Sequence, residues 1–170
     1  MSLDDFNRKI LTVKDKLYRF ALKFIKDKQD AEDIVQDVLI KIWKQQNLVQ
    51  DLLNFDAWCM KLVRNQSLDR LKSSHYKSSH LKIDPETESM GHSPYQHTES
   101  NNRMSIIRQL IQSLPDKQQE VLHLRDVEGF SYQEIADITE MEMNMIKVYL
   151  FRARNTIRTK LLNIEAYGTR

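Results

Sequence analysis

The stretch from Ser131 to Leu162 reads S-Y-Q-E-I-A-D-I-T, then E-M-E, then M-N-M-I-K-V-Y-L-F-R-A-R-N-T-I-R-T-K-L-L, and its periodicity decides the fold. Ser131 followed by Glu134 is a capping box: the hydroxyl accepts from the amide three residues on, and the carboxylate reaches back to the free amide at Ser131. A helix therefore begins there, with Ile135, Ala136 and Ile138 as its apolar edge. After a break at Glu140, Met141 and Glu142, a second helix carries Ile146, Leu150, Ala153, Ile157 and Leu161 at steps of four, three, four and four. That is one buried stripe at helical period. Two short helices joined by a tight turn, the second of them basic, read as a helix-turn-helix.

Charge along this part of the chain is sorted. Between Met143 and Leu162 there are five basic residues (Lys147, Arg152, Arg154, Arg158, Lys160) and no acidic one, whereas Pro115 to Glu142 holds eight acidic residues against two basic. A basic helix whose early turns leave Asn144, Lys147, Val148 and Phe151 free suits a major groove, where Lys and Asn read base edges and Arg anchors phosphates. The plainer alternative is a solvated helix end, since cations are favourable near a C-terminus.

The whole chain fits this picture without adding to it. A length of 170 residues and a net charge of +2 suit one or two small domains, and so mild a charge does not by itself indicate nucleic acid. Three Gly and three Pro disfavour a turn-rich β protein. A single cysteine, Cys59, excludes an internal disulfide, which agrees with a reducing compartment. No apolar run approaches a membrane span, and the N-terminus M-S-L-D-D-F-N is too acidic for a signal peptide, so a cytoplasmic protein is expected.

Upstream, Phe6, Ile10, Val13, Leu17, Ala21 and Phe24 recur at helical spacing and predict one amphipathic helix over residues 4–26. Asp30 is the expected N-cap of the next, over 31–44, with Glu32 and Asp33 in its first turn. Its inward set is Ile34, Val35, Val38, Leu39, Ile42 and Trp43; left outside are Asp33, Gln36, Asp37, Ile40, Lys41 and Lys44. A polar stretch over 45–54 precedes a third helix in which Cys59, Leu62 and Val63 pack inward while Trp58, Lys61, Asn65 and Lys72 share a face. An aromatic ring, an ammonium and an amide on one face offer stacking, phosphate attraction and base-edge hydrogen bonds to single-stranded DNA. By spacing alone Trp58 is equally a core residue.

Three runs, A-E-D-I-V-Q-D-V-L-I-K-I-W at Ala31 to Trp43, A-W-C-M-K-L-V-R-N-Q-S-L-D at Ala57 to Asp69 and L-P-D-K-Q-Q-E-V-L-H-L-R-D-V-E-G-F-S-Y-Q-E-I-A at Leu114 to Ala136, resemble the small bacterial RNA polymerase sigma factors. The resemblance is to the two-domain extracytoplasmic-function (ECF) type. It implies an all-α fold of two small helical domains, region two over residues 1–72 and region four over 103–170, joined by a flexible linker over 73–102. Region two is implied to bind the polymerase core and open the minus 10 element, and region four to bind the minus 35 element. By the same resemblance Asp33, Gln36, Asp37 and Ile40 face the core, the 45–54 stretch captures a flipped minus 10 base, and Trp58, Lys61 and Asn65 support it. Asn144, Lys147, Val148, Phe151, Arg152 and Arg154 fall on the minus 35 reader. The implied partners are core RNA polymerase, promoter DNA and an anti-sigma factor, with no catalysis, cofactor or metal.

The departures are local. Where the family commonly has Gly in the turn and Ser or Thr capping the recognition helix, this chain has Glu140 and Glu142; where it often writes K-S-R-L, this chain has Lys147-Val148-Tyr149-Leu150. The rival reading is a stand-alone helix-turn-helix regulator, which leaves the two upstream motif helices without a role. The middle segment carries His75, His80, His92 and His97, whose spacing fits no compact ligand pair. Beyond it, Met104, Ile107, Leu110, Ile111 and Leu114 resume helical period, Pro115 suits the first turn of the following helix, and Gly129 is a ready left-handed stop.

Overall fold

The computed structural model describes residues 3–46, 52–73 and 99–167. The helices are α1 (Leu3–Phe24), α2 (Lys28–Lys44), α3 (Phe55–Lys72), α4 (Glu99–Gln112), α5 (Asp116–Leu122), α6 (Tyr132–Thr139) and α7 (Met143–Tyr167), with a π-helical turn at His123–Val127. The fold is all-α. Backbone contacts sort the chain into two compact units: Met1–Ile83 with Gln133–Met141, and Asp84–Tyr132 with Glu142–Arg170.

The first unit is built on three mutually packed helices, α1, α2 and α3. Phe6, Val13, Leu17, Phe20, Ala21 and Ile25 line the buried side of α1 and its exit, and Ala31, Ile34, Val35, Val38 and Ile42 that of α2. From α3 come Phe55, Ala57, Cys59, Met60 and Val63. Polar contacts then fix the helices against one another: Lys16 Nζ lies 2.8 Å from Asp56, Arg70 lies 3.6 Å from Asp30, and Lys41 Nζ donates to Gln66 at 2.9 Å. These part-exposed pairs select a register, and the apolar core supplies the stability.

Two expectations are corrected in this unit. The N-cap of α2 is Asp27, whose carboxylate accepts from the Asp30 amide at 2.9 Å. Asp30 already lies in the first turn, where its charge meets Arg70 instead. Trp43, expected inward, is 48 % exposed and rests edge-on against Phe6 with ring centroids 5.6 Å apart. It stands in the last turn of α2, one residue before the helix ends.

In the second unit α7 packs on α5 and α4. Its stripe reads as expected: Ile146, Leu150 and Ala153 are buried, and Ile157 and Leu161 half-buried. They share the unit with buried Leu114, Val121, Leu122, Leu124 and Phe130. Helix α4 begins at Glu99, earlier than Met104 and inside the segment expected to be a linker. Met104 itself is exposed. Pro115 stands at the N-cap of α5, its carbonyl accepting from the Gln118 and Gln119 amides.

The turn of π-helix was not foreseen. It widens the backbone after α5, with the Glu128 amide bonding the His123 carbonyl at 3.0 Å, and Gly129 then reverses the chain at φ 81°. Arg125 holds the exit by donating to the Phe130 carbonyl at 2.8 Å and lying 5.0 Å over the Tyr132 ring. The histidines of the middle segment and the linker from residue 74 to 98 lie outside the described residues.

Ser67 is fully buried in α3, and among the described residues its hydroxyl has no hydrogen-bond partner. A buried orphan of that kind costs roughly 1–3 kcal/mol. Ser67→Ala is therefore expected to raise the melting temperature, whereas Leu17→Ala, which empties a fully buried site, is expected to cost roughly 2–5 kcal/mol. Calorimetric melts of the two variants check both signs.

Candidate nucleic-acid interface

Helix α7 owes its outward face to its buried one. With Ile146, Leu150 and Ala153 held inside, Asn144, Lys147, Val148, Phe151 and Arg152 are left in solvent, Phe151 being 72 % exposed. Arg154 is exposed too, but is not loose. Its Nε and a terminal nitrogen form a two-pronged pair with the Asp126 carboxylate at 3.0 and 2.6 Å, which raises the pKa of the guanidinium further. Sequence reading missed Asp126, since no local pattern links residues so far apart in the chain. The far end of α7 is tethered by Lys160 to the Ser113 hydroxyl at 3.2 Å and by Arg103 to Glu165.

The turn before α7 is unusual in residue type. Glu140 adopts φ 60°, the left-handed region that favours glycine. Its amide bonds the Ala136 carbonyl at 2.8 Å. Beside it the Thr139 hydroxyl donates to the Ile135 carbonyl at 2.7 Å and accepts from the Met141 amide at 3.3 Å. Within the first unit, the Glu140 carboxylate lies 2.9 Å from Lys61 Nζ. The hydrogen bond from Lys61, then its charge, with Arg64 adding, holds Glu140 below the usual carboxylate range. The Glu134 carboxylate accepts from the Asn54 amide group, while the Asn54 oxygen caps α3 by accepting from Ala57 at 3.0 Å.

On α3, Trp58 is half-buried, an arrangement between its two sequence readings, Lys61 is engaged with Glu140, and Asn65 and Lys72 are exposed. Just before the helix, Leu53 is wholly exposed, an apolar residue in a stretch described above as polar. Residues 47–51 of that stretch lie outside the described residues. On α2, Asp33, Gln36 and Asp37 are exposed together with Ile40, 53 % exposed, as the outward pattern predicts. Cys59 is no candidate for chemistry: burial, and secondarily the charge of Asp56, pushes its thiol pKa up, so it stays protonated.

Family comparison accounts for both units' motifs. Residues 10–75 match the sigma-70 region 2 model and residues 104–157 the sigma-70 region 4 model. The RNA polymerase sigma-H factor of Pseudomonas aeruginosa is 24 % identical over 161 residues, covering 89 % of this chain and 83 % of that one. The ECF RNA polymerase sigma factor SigW of Bacillus subtilis is 25 % identical over 163 residues, covering 89 % and 86 %. Among solved structures, the sigma factor RpoE of Bartonella quintana, crystallised with the anti-sigma factor NepR, superposes with a TM-score of 0.75 at 26 % identity, covering 95 % of this chain and 99 % of that one. The chain belongs to the sigma-70 family of RNA polymerase sigma factors, of the ECF type. The stand-alone regulator reading finds no support, because region two has its own family match.

Glu140→Gly is expected to stabilise the protein, since it relieves a left-handed backbone and loses only an exposed ion pair. Glu140→Gln removes the pair and keeps the strain, so it is expected to melt lower than Glu140→Gly. The depressed pKa sets the sign with pH: the pair's contribution is intact above the unfolded carboxylate value and fades as pH falls through the folded one. Melts of wild type and Glu140→Gln should therefore converge in acid.

Proposed function

We propose that this sigma factor divides promoter recognition between two helices of different chemistry, α3 acting on the opened minus 10 strand and α7 on duplex minus 35 DNA. In this reading residues 1–72 form region two, residues 103–170 region four, and residues 73–102 tether them. The observation that carries it is α7: its buried stripe leaves a polar and basic face that has no acidic residue from Met143 to Leu162. Lys147 and Arg152 meet phosphates, Asn144 meets a base edge, and Arg154, braced by Asp126, presents a fixed rather than a searching cation.

On α3, Trp58, Lys61 and Asn65 bind the opened strand by stacking, charge and hydrogen bonding. Lys61 first exchanges Glu140 for a phosphate. The outward face of α2, Asp33, Gln36, Asp37 and Ile40, docks on the polymerase core, with one apolar side chain among polar ones. The protein performs no catalysis of its own and acts in the cytoplasm, where core polymerase and promoter are found. An anti-sigma factor regulates it; the reading is supported by the solved relative's complex with NepR.

Run-off transcription with core polymerase is the direct test. Lys147→Ala with Arg152→Ala is expected to weaken duplex binding by the holoenzyme and to lower the slope of log affinity against log salt by roughly one per lost phosphate contact. Unchanged slope and affinity would remove α7 as the reader. Asp37→Lys is expected to weaken core binding in a pull-down with purified core enzyme, with folding verified by its melt. Trp58→Ala with Asn65→Ala, also verified by melting, is expected to impair strand opening, read by permanganate reactivity, while closed-complex binding is retained.

A further inference from the structure

Sulfur is unevenly distributed in this chain. Three of its seven methionines, Met141, Met143 and Met145, alternate with Glu142 and Asn144 through the turn before α7 and its first turn. Met143 is 37 % and Met145 40 % exposed and Met141 is half-buried, whereas Met60 is sealed in the core of the first unit. Packing does not call for apolar side chains at two exposed positions. The one thiol does not compete for an oxidant: Cys59 is buried, and burial pushes its pKa up, so it lacks the thiolate on which thiol oxidation depends. An exposed thioether reacts in its neutral form. The surroundings of these sulfurs are specific as well. The first backbone bond of α7 runs from the Ile146 amide to the Glu142 carbonyl at 3.1 Å, so the amides of Met143, Asn144 and Met145 have no carbonyl within the helix to meet. Thioether sulfur is a weak acceptor for such donors, and a sulfoxide oxygen a strong one.

We infer that Met143 and Met145, with Met141 beside them, form a sulfoxidation site whose oxidation weakens the hold of α7 on duplex DNA and whose reduction restores it. The inference rests on α7 being the duplex reader. In the oxidation a sulfur lone pair attacks one oxygen of hydrogen peroxide and the O–O bond breaks. That oxygen stays on sulfur as the sulfoxide, and the other leaves as water; sulfur gives up two electrons and the peroxide takes them. Reduction by two thiols returns the thioether, with a disulfide and water as products. Helical spacing says what the change does. Met143 stands four residues before Lys147 and Met145 seven before Arg152, so each sulfur shares a row with one of the two exposed cations. An apolar tip in that row becomes a dipole with its negative end on oxygen, set where a phosphate has to approach. The same oxygen accepts from the free amides at the helix start, donors that otherwise favour an incoming anion.

For the test, the full chain is treated with hydrogen peroxide, freed of it, and only then assembled with untreated core polymerase, so that the methionines of the core stay reduced. Peptide mass spectrometry is expected to show an added oxygen at Met143 and Met145 before Met60. Holoenzyme made with the oxidised chain is expected to bind a promoter duplex, selected beforehand with untreated holoenzyme, roughly fivefold or more weakly, the cost of desolvating one polar oxygen. Treatment with methionine sulfoxide reductases and a thiol should restore it. Met141→Leu with Met143→Leu and Met145→Leu, swaps that nearly conserve volume, should bind as wild type does before peroxide and keep that affinity after it. Met104→Leu, which removes an exposed thioether from α4, should leave the sensitivity in place. Unchanged binding by a chain oxidised at both Met143 and Met145, an equal loss in the triple variant, or sulfurs there that outlast Met60 overturns the inference. Should Lys147→Ala with Arg152→Ala still weaken duplex binding in that event, α7 stands as the reader and only the oxidation site has failed; should they leave it unchanged, α7 is not the reader at all.

Discussion

The rotation of α7 about its own axis is fixed by three side chains. Ile146, Leu150 and Ala153 are removed from water, and each buried methyl-sized group is worth about 0.8 kcal/mol. Turning the helix by a third would trade them for Lys147 and Asn144 in one sense or for Arg152 in the other, polar groups that the core has no means to satisfy. What the helix shows to solvent is therefore decided by what it hides. The same logic orders α2, where buried Ile34, Val35, Val38 and Ile42 leave Asp33, Gln36, Asp37 and Ile40 as the outward set.

Charge is arranged to use that outward face. Asp126, on the π-helical turn, takes up Arg154 in a two-pronged pair, which restrains the cation without burying it. The pair is about half exposed, so its worth to stability is small, in the range of about 0–1 kcal/mol for surface pairs. Its effect is on geometry. A restrained guanidinium loses less freedom when it meets a phosphate than one that must first be ordered. The widened π-helical turn and the left-handed Gly129 carry the chain from α5 round to Ser131.

Most helices were legible because their apolar residues repeat at helical spacing, and that signal needs no neighbour to interpret it. The stripe of α7 and the inward residues of α1 follow from spacing alone, though Phe20 and Ile25 on the same side of α1 were passed over. Failures came where the deciding partner is distant or at an element's end. The helical period puts Trp43 inward, yet α2 ends one residue later and its ring rests edge-on against Phe6, half in solvent. Asp27 and Asp30 are both good caps, and only the structure distinguishes which stands at the boundary. The link from Asp126 to Arg154, the orphaned Ser67 hydroxyl and the π-helical turn leave no local trace in composition or period. Trp58 sits half-buried because one side chain serves both the packing of α3 and its exposed face.

Glu140 shows how far a turn can depart from its cheapest residue. At φ 60° glycine has no steric objection, whereas a glutamate carries one, and the local hydrogen bonds do not depend on the side chain at all. The Thr139 hydroxyl and the Glu140 amide hold the turn whichever residue occupies 140. Strain kept where nothing local requires it points to a use for the side chain. Among the described residues its ion-pair partner is Lys61, whose hydrogen bond and charge, with Arg64 adding, hold the carboxylate below its usual range. The pair is part-exposed, the carboxylate more so than the ammonium, so the attraction is screened and weak. A strained turn and a weak ion pair contribute little to the stability of the protein, but together they restrain Lys61 at a defined place on α3.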